Sequence, residues 1–235
     1  MQNVIPLRNI RPEDLSRAGG KAVSLSNLVR NGFTVPDGLC VTTAVYDAYI
    51  DAAGLRERIL LELNRKEARH LRWEEVWDSA LRIRSMFLRR PLPAEIREEL
   101  SRHIEPRFAD RPVVVRSSAP AEDSEKTSFA GLHESYVNVA GLEAILDHIR
   151  RVWASLWSDA AILYRRELHL DPAASAMAVV IQDVVFGDCA GVAFSQSPVE
   201  PDQAVIEAVH GLNQGLVDGA IEPDRWILHR QTGAV

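Results

Sequence analysis

The sequence predicts an α+β fold, on two observations. Residues up to about 107 alternate helix and turn and then run as a helical stretch. From residue 112 the texture changes to short β-rich runs: "PVVVRSS", "SYVNV", "AMAVVIQDVV", "AGVAFSQS", "AVIEAV" and "RWILHR". One helical block, residues 141–168, interrupts those runs, so the second half reads as a sheet with a crossing helical layer. The change places a boundary near Asp110, between a helix-rich lobe, 1–110, and a sheet-rich lobe, 111–235.

Each element has its own signal. "KAVSLSNLVRNG" (21–32) has Leu25, Leu28 and Val29 at helical spacing and Gly32 as a stop. "FTVPDGLCVTT" is a turn and a short strand, and Thr42 or Thr43 is placed to cap the helix that follows. Residues 55–107 carry 13 Lys/Arg against 10 Asp/Glu, with Trp73, Trp77, Leu81 and Ile83–Met86 in an amphipathic pattern. A solvated helical lobe of mixed charge accounts for that composition better than a basic docking face. The block 141–168 reads as two helices broken near Ser158 and Asp159.

Composition excludes several classes. The chain has 235 residues, 46% hydrophobic and 26% charged, with a net charge of −6. That is long enough for a sizeable core. An acidic balance argues against sequence-independent nucleic-acid binding, which needs a basic footprint. It does not argue against a nucleotide, since a local pocket can be basic on an acidic protein. No apolar run approaches the ~20 residues of a membrane span, and the N-terminus has no apolar signal core. Two cysteines far apart, Cys40 and Cys189, suit a reducing compartment and a role as small core residues. The expectation is a cytoplasmic protein with neither nucleic-acid nor membrane partners.

Two stretches suggest a phosphate. "RAGGKAVSLSNL" (17–28) puts two glycines and Lys21 at the mouth of a helix. Glycines let backbone N–H groups approach an anion, the helix N-terminus is partially positive, and the lysine adds a full charge. It is not the P-loop spacing, and most such tripeptides are ordinary turns. "VVVRSSAPAEDSEKTSFAG" ends a valine strand on Arg116, whose fork can take two oxygens, and continues as a small polar loop with Gly131 near its end. A salt bridge from Arg116 to Glu122 or Asp123 is the competing reading. Around Gln182–Val184 an adenine could stack on an apolar wall, although a simple hairpin explains the same pattern. Glu200, Asp202, Glu207, Asp218 and Glu222 could attract magnesium but show no fixed ligand spacing.

Taken in order, the Gly-Gly-Lys helix with "GFTVPDG", then "VVVRSSAPAEDSEKTSFAGLHESYVNV", "MAVVIQDVV…AGVAFSQSP" and "VIEAVHGLNQGLVDGAIEPDRW" resemble one family. It is the N-terminal ATP-binding domain of pyruvate,water dikinase (phosphoenolpyruvate synthase), pyruvate phosphate dikinase and the rifampicin phosphotransferases. The resemblance covers almost the whole chain. It implies an ATP-grasp-like fold whose two lobes close over ATP and Mg2+. It matches Lys21 and Arg116 to phosphate-binding, catalytic positions, Gly131 to the loop over the phosphates, Ser135 to a position usually filled by Thr, and Gln182 to the adenine-proximal position. His133 stands where the family usually has Gln, and Ser197 where it has an acid. The resemblance further implies a domain carrying a phosphorylatable histidine and an acceptor-binding domain, on the same or a separate chain. The acceptor would be pyruvate or a rifamycin. The family's domain continues to Glu-Trp-Ala and Gln-x-Arg-Pro segments absent before Val235, so the chain reads as truncated or split, and inactive alone. The alternative is a degenerate ATP-grasp module serving nucleotide sensing or partner binding.

Overall fold

The computed structural model describes residues 2–65, 72–120, 134–197, 199–217 and 219–235, and the backbone of 123–124 and 127–128. Two compact units divide between Val184 and Val185. The division therefore falls well after Asp110. The reason is strand pairing. The first unit's sheet runs β1 (Val4–Pro6), β2 (Gly38–Val41), β7 (Ala178–Asp183), β3 (Val113–Ser118), β6 (Ser135–Val139), every pair antiparallel. Strands from both sides of residue 110 share one hydrogen-bonded ladder, so no lobe boundary can pass there. β1, three residues inside a stretch expected as helix and turn, is one of them.

Side chains of this sheet alternate between two faces. Val4, Leu39, Val41, Val113, Val115, Val179 and Ile181 face a layer built from α2 (Thr43–Ala52), α3 (Arg56–Leu63), α4 (Trp73–Arg89), α5 (Ala94–Phe108), α6 (Leu142–Ser155) and α7 (Asp159–Glu167). Ile5, Cys40, Ala178 and Val180 face the opposite way, onto α1 (Leu15–Arg30). The break between α6 and α7 falls where the sequence suggests, with the Ser158 hydroxyl capping Ala161 N–H at 3.2 Å. Thr42 occupies the N-cap position of α2, but its side chain makes no cap bond.

The helical layer centres on aromatic rings. Tyr49 stacks on Trp153 at 5.2 Å, Tyr46 meets Trp153 edge-on at 6.0 Å, and Phe87 packs against both tyrosines. Trp157 donates to the Tyr46 hydroxyl at 3.0 Å. Pro91 follows Arg90 and stops α4, which leaves terminal carbonyls without helical partners. Tyr49 and Arg150 supply donors: the Tyr49 hydroxyl to Phe87 and Arg90 carbonyls, Arg150 to those of Leu88 and Arg90. The α4 face in this core is Val76, Ala80, Ile83 and Phe87. Trp73, Trp77 and Leu81, read from the sequence as part of the amphipathic pattern, are exposed instead.

α1 also buries a different stripe from the one its large residues mark. Leu28 is exposed, whereas Ala18, Gly19, Gly20, Ala22, Val23 and Ser26 are buried. Small residues let the helix backbone approach the sheet, and Ser26 donates to the Ile10 carbonyl at 2.6 Å. Gly32, at φ 82°, ends the helix as expected, with Phe33 N–H returning to the Leu28 carbonyl.

The second unit is a three-stranded antiparallel meander of β8 (Cys189–Phe194), β9 (Gln203–His210) and β10 (Asp224–His229), with a one-turn helix α8 (Gln214–Val217). Phe194, Ile206, Trp226 and Ile227 are exposed on it. Ser197 closes the turn after β8 by accepting from Val199 and Glu200 N–H groups. The two cysteines differ. Cys40 is buried, which pushes its thiol up to about 12 and keeps it inert at neutral pH. Cys189 is exposed, with Sγ 3.6 Å from His210 Nδ1, so it is not a core residue. Among the described residues no helix is long and apolar enough to cross a membrane.

Because Trp153 is fully buried between Tyr46 and Tyr49, Trp153→Ala should destabilise the first unit by about 3–5 kcal/mol. Urea unfolding followed by tyrosine and tryptophan fluorescence measures this, and a loss under about 1 kcal/mol would mean the aromatic cluster is not the centre of the core.

Candidate functional site

The two phosphate-like stretches are joined at one point. α1 breaks at Gly19, whose φ of 79° and ψ of 166° are not helical. The break leaves backbone groups on either side without helical partners. The Ser118 hydroxyl takes both: it donates to the Ala18 carbonyl at 2.8 Å and accepts from Ala22 N–H at 3.1 Å. Gly20 N–H donates to the Ala119 carbonyl at 3.3 Å. The contact is so close that a Cβ on Gly19 would stand 2.1 Å from the Ser118 carbonyl oxygen. Only glycine combines that φ with that approach.

This staple ties the Gly-Gly-Lys stretch to the C-terminal end of β3. Lys21 lies two residues beyond Gly19, half-buried on α1. Arg116 lies two residues before Ser118, half-buried, on the same side of β3. Register then extends the array. Arg116 stands opposite Val180 of β7 and Ser135 of β6, and Val114 stands opposite Gln182. Directly opposed residues in antiparallel pairs point to one side. Val180 packs on α1, so Arg116, Ser135 and Gln182 all belong to the α1 face of the sheet. On the opposite face, Val115 and Tyr136 pack with the helical layer.

The members differ in exposure. Ser135 is exposed. Gln182 is only 5% exposed, and its Nε2 donates to the Pro36 carbonyl at 3.0 Å, which holds the turn before β2. That bond gives Gln182 a structural task in addition to any contact with a base. Asp37 and Asp183 flank the same strand ends and pair with Arg107 at 3.1 Å and Arg111 at 3.4 Å. Gly131, His133 and Glu122 lie outside the described residues, as do the side chains of 123–124 and 127–128. The backbone of 123–124 pairs antiparallel with that of 127–128, within the stretch expected as a polar loop.

Magnesium fares differently. Among the described residues no three His, Cys, Asp or Glu side chains come together to hold a metal ion. Of the five acids singled out, Glu207 is paired with Arg225 and Asp218 is outside the described residues.

Ser118 and Gly19 form the site's structural joint, whereas the sequence reading gave the glycines to anion approach and the serines to a polar phosphate loop and did not pair them with each other. A usable signal existed: a glycine pair opening a helix of small residues calls for a close partner, and "VRSSA" is the polar strand end that supplies one. Gly19→Ala should cost about 2–4 kcal/mol, from the positive φ and the collision with strand backbone. Ser118→Ala should cost about 1–3 kcal/mol by orphaning two buried backbone groups. Chemical denaturation of both variants tests the staple, and a neutral Ser118→Ala would remove it as the link between the two stretches.

Comparison with known proteins matches the same region. The family model described as pyruvate phosphate dikinase, AMP/ATP-binding domain, matches residues 15–235. The chain is 34% identical over 97% of its length to the probable phosphoenolpyruvate synthase of Staphylothermus marinus. It is 35% identical over 97% to the phosphoenolpyruvate synthase of Aeropyrum pernix, and 31% identical over 94% to the rifampicin phosphotransferase of Bacillus subtilis. It spans 28%, 28% and 26% of those relatives' lengths, respectively. With Gly-Gly-Lys stapled to the arginine strand and a match that begins at α1 and runs through β10, the chain belongs to the pyruvate phosphate dikinase AMP/ATP-binding domain family.

Proposed function

We propose that this chain is the ATP-binding part of a dikinase-type phosphotransferase with an ATP-grasp-like fold. Lys21 and Arg116 engage the phosphates of ATP, Ser135 adds a hydroxyl beside Arg116, and the base lies toward Gln182. The observation that carries this reading is the Gly19–Ser118 staple, which anchors the helix of Lys21 to the strand of Arg116. Gly131 belongs to the loop over the phosphates.

In this reading a histidine on a further domain attacks the β-phosphorus of ATP. The bond from that phosphorus to the α-phosphate's bridging oxygen breaks, and AMP leaves. Negative charge builds on the phosphate oxygens as it does so. The Arg116 guanidinium can hold two of those oxygens, and the Lys21 ammonium offsets charge as a compact point. Catalysis of this kind is mainly positioning and electrostatics. The histidine then carries the β- and γ-phosphates as a diphosphoryl group. Transfer of the γ-phosphoryl to water or inorganic phosphate leaves a phosphohistidine, and the histidine domain passes the remaining β-phosphoryl group to an acceptor, pyruvate or a rifamycin, bound elsewhere. Phosphoenolpyruvate synthases and rifampicin phosphotransferases among the relatives support that pair of acceptors.

Arg116→Ala and Lys21→Ala should each weaken ATP binding about tenfold to a hundredfold, the worth of a charge-assisted contact. The thermal midpoint should hold, since neither side chain is a core residue. Calorimetric titration beside a melting curve decides. A variant at Arg116 that binds ATP normally and melts much earlier identifies a structural ion pair instead.

A further inference from the structure

α4 presents a second, outward apolar stripe that the core does not use. Trp73 is 64% exposed, Trp77 47%, Leu81 42% and Leu88 43%. At 100° per residue these four fall within one quadrant of the helix, beside the buried stripe of Val76, Ala80, Ile83 and Phe87. Two exposed tryptophans one turn apart are unusual for a surface with no task, because Trp is costly to hydrate and is concentrated at interfaces.

The charges along the stripe are polarised. At the N-terminal end, Trp73 and Trp77 wall a hollow of about 380 Å³ with Glu74, Glu75 and Asp78. At the C-terminal end, a groove of about 630 Å³ between α3 and α4 is lined by Arg58, Arg82, Arg89 and Arg90 with Ser85 and a single acid, Asp78, and has Leu81 and Met86 as its apolar part. Arg82 is satisfied by Glu62 at 2.9 Å and Asp78 at 3.2 Å. Glu74 and Arg89 make no ion pair among the described residues. They lie on adjoining sides of the helix but about 22 Å apart along it, so they cannot pair with each other within one chain.

We propose that α4 is a two-fold interface between two copies of this chain, with the helices antiparallel and Leu81 at the axis. An antiparallel copy brings the basic end over the acidic end twice, by symmetry, and closes the assembly at two. Residues equidistant from Leu81 then face each other. Trp73 faces Arg89 of the partner, Glu74 faces Leu88 of the partner with Arg89 one residue away, and Trp77 faces Ser85 of the partner, whose small side chain leaves room for the indole. A tryptophan, leucine and methionine centre with an arginine-rich rim has the composition of an interface. The charge order explains why a copy of the same helix is the occupant: acidic to basic read one way is complementary to itself read the other way.

Sedimentation equilibrium of the purified chain across a dilution series should show a monomer–dimer equilibrium that weakens as salt is added. Glu74→Arg alone and Arg89→Glu alone should each weaken it roughly tenfold or more by setting like charges together. The Glu74→Arg, Arg89→Glu double variant should regain most of the loss, since the two ends are exchanged and remain complementary. Leu81→Asp places two carboxylates at the axis and should give monomer. Circular-dichroism melts verify that each variant remains folded; α4's core stripe is untouched by all of them. A chain that stays monomeric throughout overturns the proposal. So does a dimer indifferent to Leu81→Asp, or a double variant no tighter than the single ones.

Discussion

The Ser118 hydroxyl carries more of this architecture than its size suggests. It spans the break in α1, accepting from one side and donating to the other, and it sits on the strand that bears Arg116. Without it the helix break at Gly19 would leave buried backbone groups unpaired, a cost that folding seldom tolerates. With it, the break becomes a joint. α1 is held against the sheet by backbone contact rather than by large side chains, which is why its buried stripe is alanine, glycine and serine. Close approach and polar satisfaction are thus one constraint, and the positions of Lys21 and Arg116 follow from it.

Antiparallel pairing does the rest of the positioning. Every strand pair in the first unit runs antiparallel, so opposed residues share a face and a polar set can be built from three strands far apart in sequence. Arg116, Ser135 and Gln182 are gathered in this way, while the valines between them close the core on the other side. The bulge between Val113 and Val115 moves the register against β6 by one residue, and the opposition of Arg116 to Ser135 depends on that shift.

The helical layer solves a different problem. Its aromatic centre is fully buried, and the end of α4 is finished by Tyr49 and Arg150 rather than by a glycine cap. A helix anchored so firmly along one stripe can present a second stripe outward without loss of order. Polarity along α4 also matches its dipole, acids near the first turn and arginines near the last. The same charge order thus stabilises the helix and makes its outer face complementary to an antiparallel copy.

Local signals determined a great deal. Valine runs, helical periodicity and turn residues located β3, β6, β7, β8, β9, β10 and the α6–α7 break, because each depends on neighbours in sequence. Order and chemistry of the motifs pointed to the family. What the tertiary structure decided is which elements meet. Residues 1–110 contribute β1 and β2 to a sheet completed by strands after residue 110, and sequence texture carries no record of a pairing partner so far away. It decided which apolar stripe is buried: size favoured Leu28 and the tryptophans of α4, but closeness of approach favoured alanine and glycine on α1, and the heptad at Val76–Phe87 on α4. It decided that Gln182 holds the Pro36 carbonyl and that Ser118 bridges Gly19. Such bonds join groups about 100 residues or more apart, so they become visible only once the chain has folded.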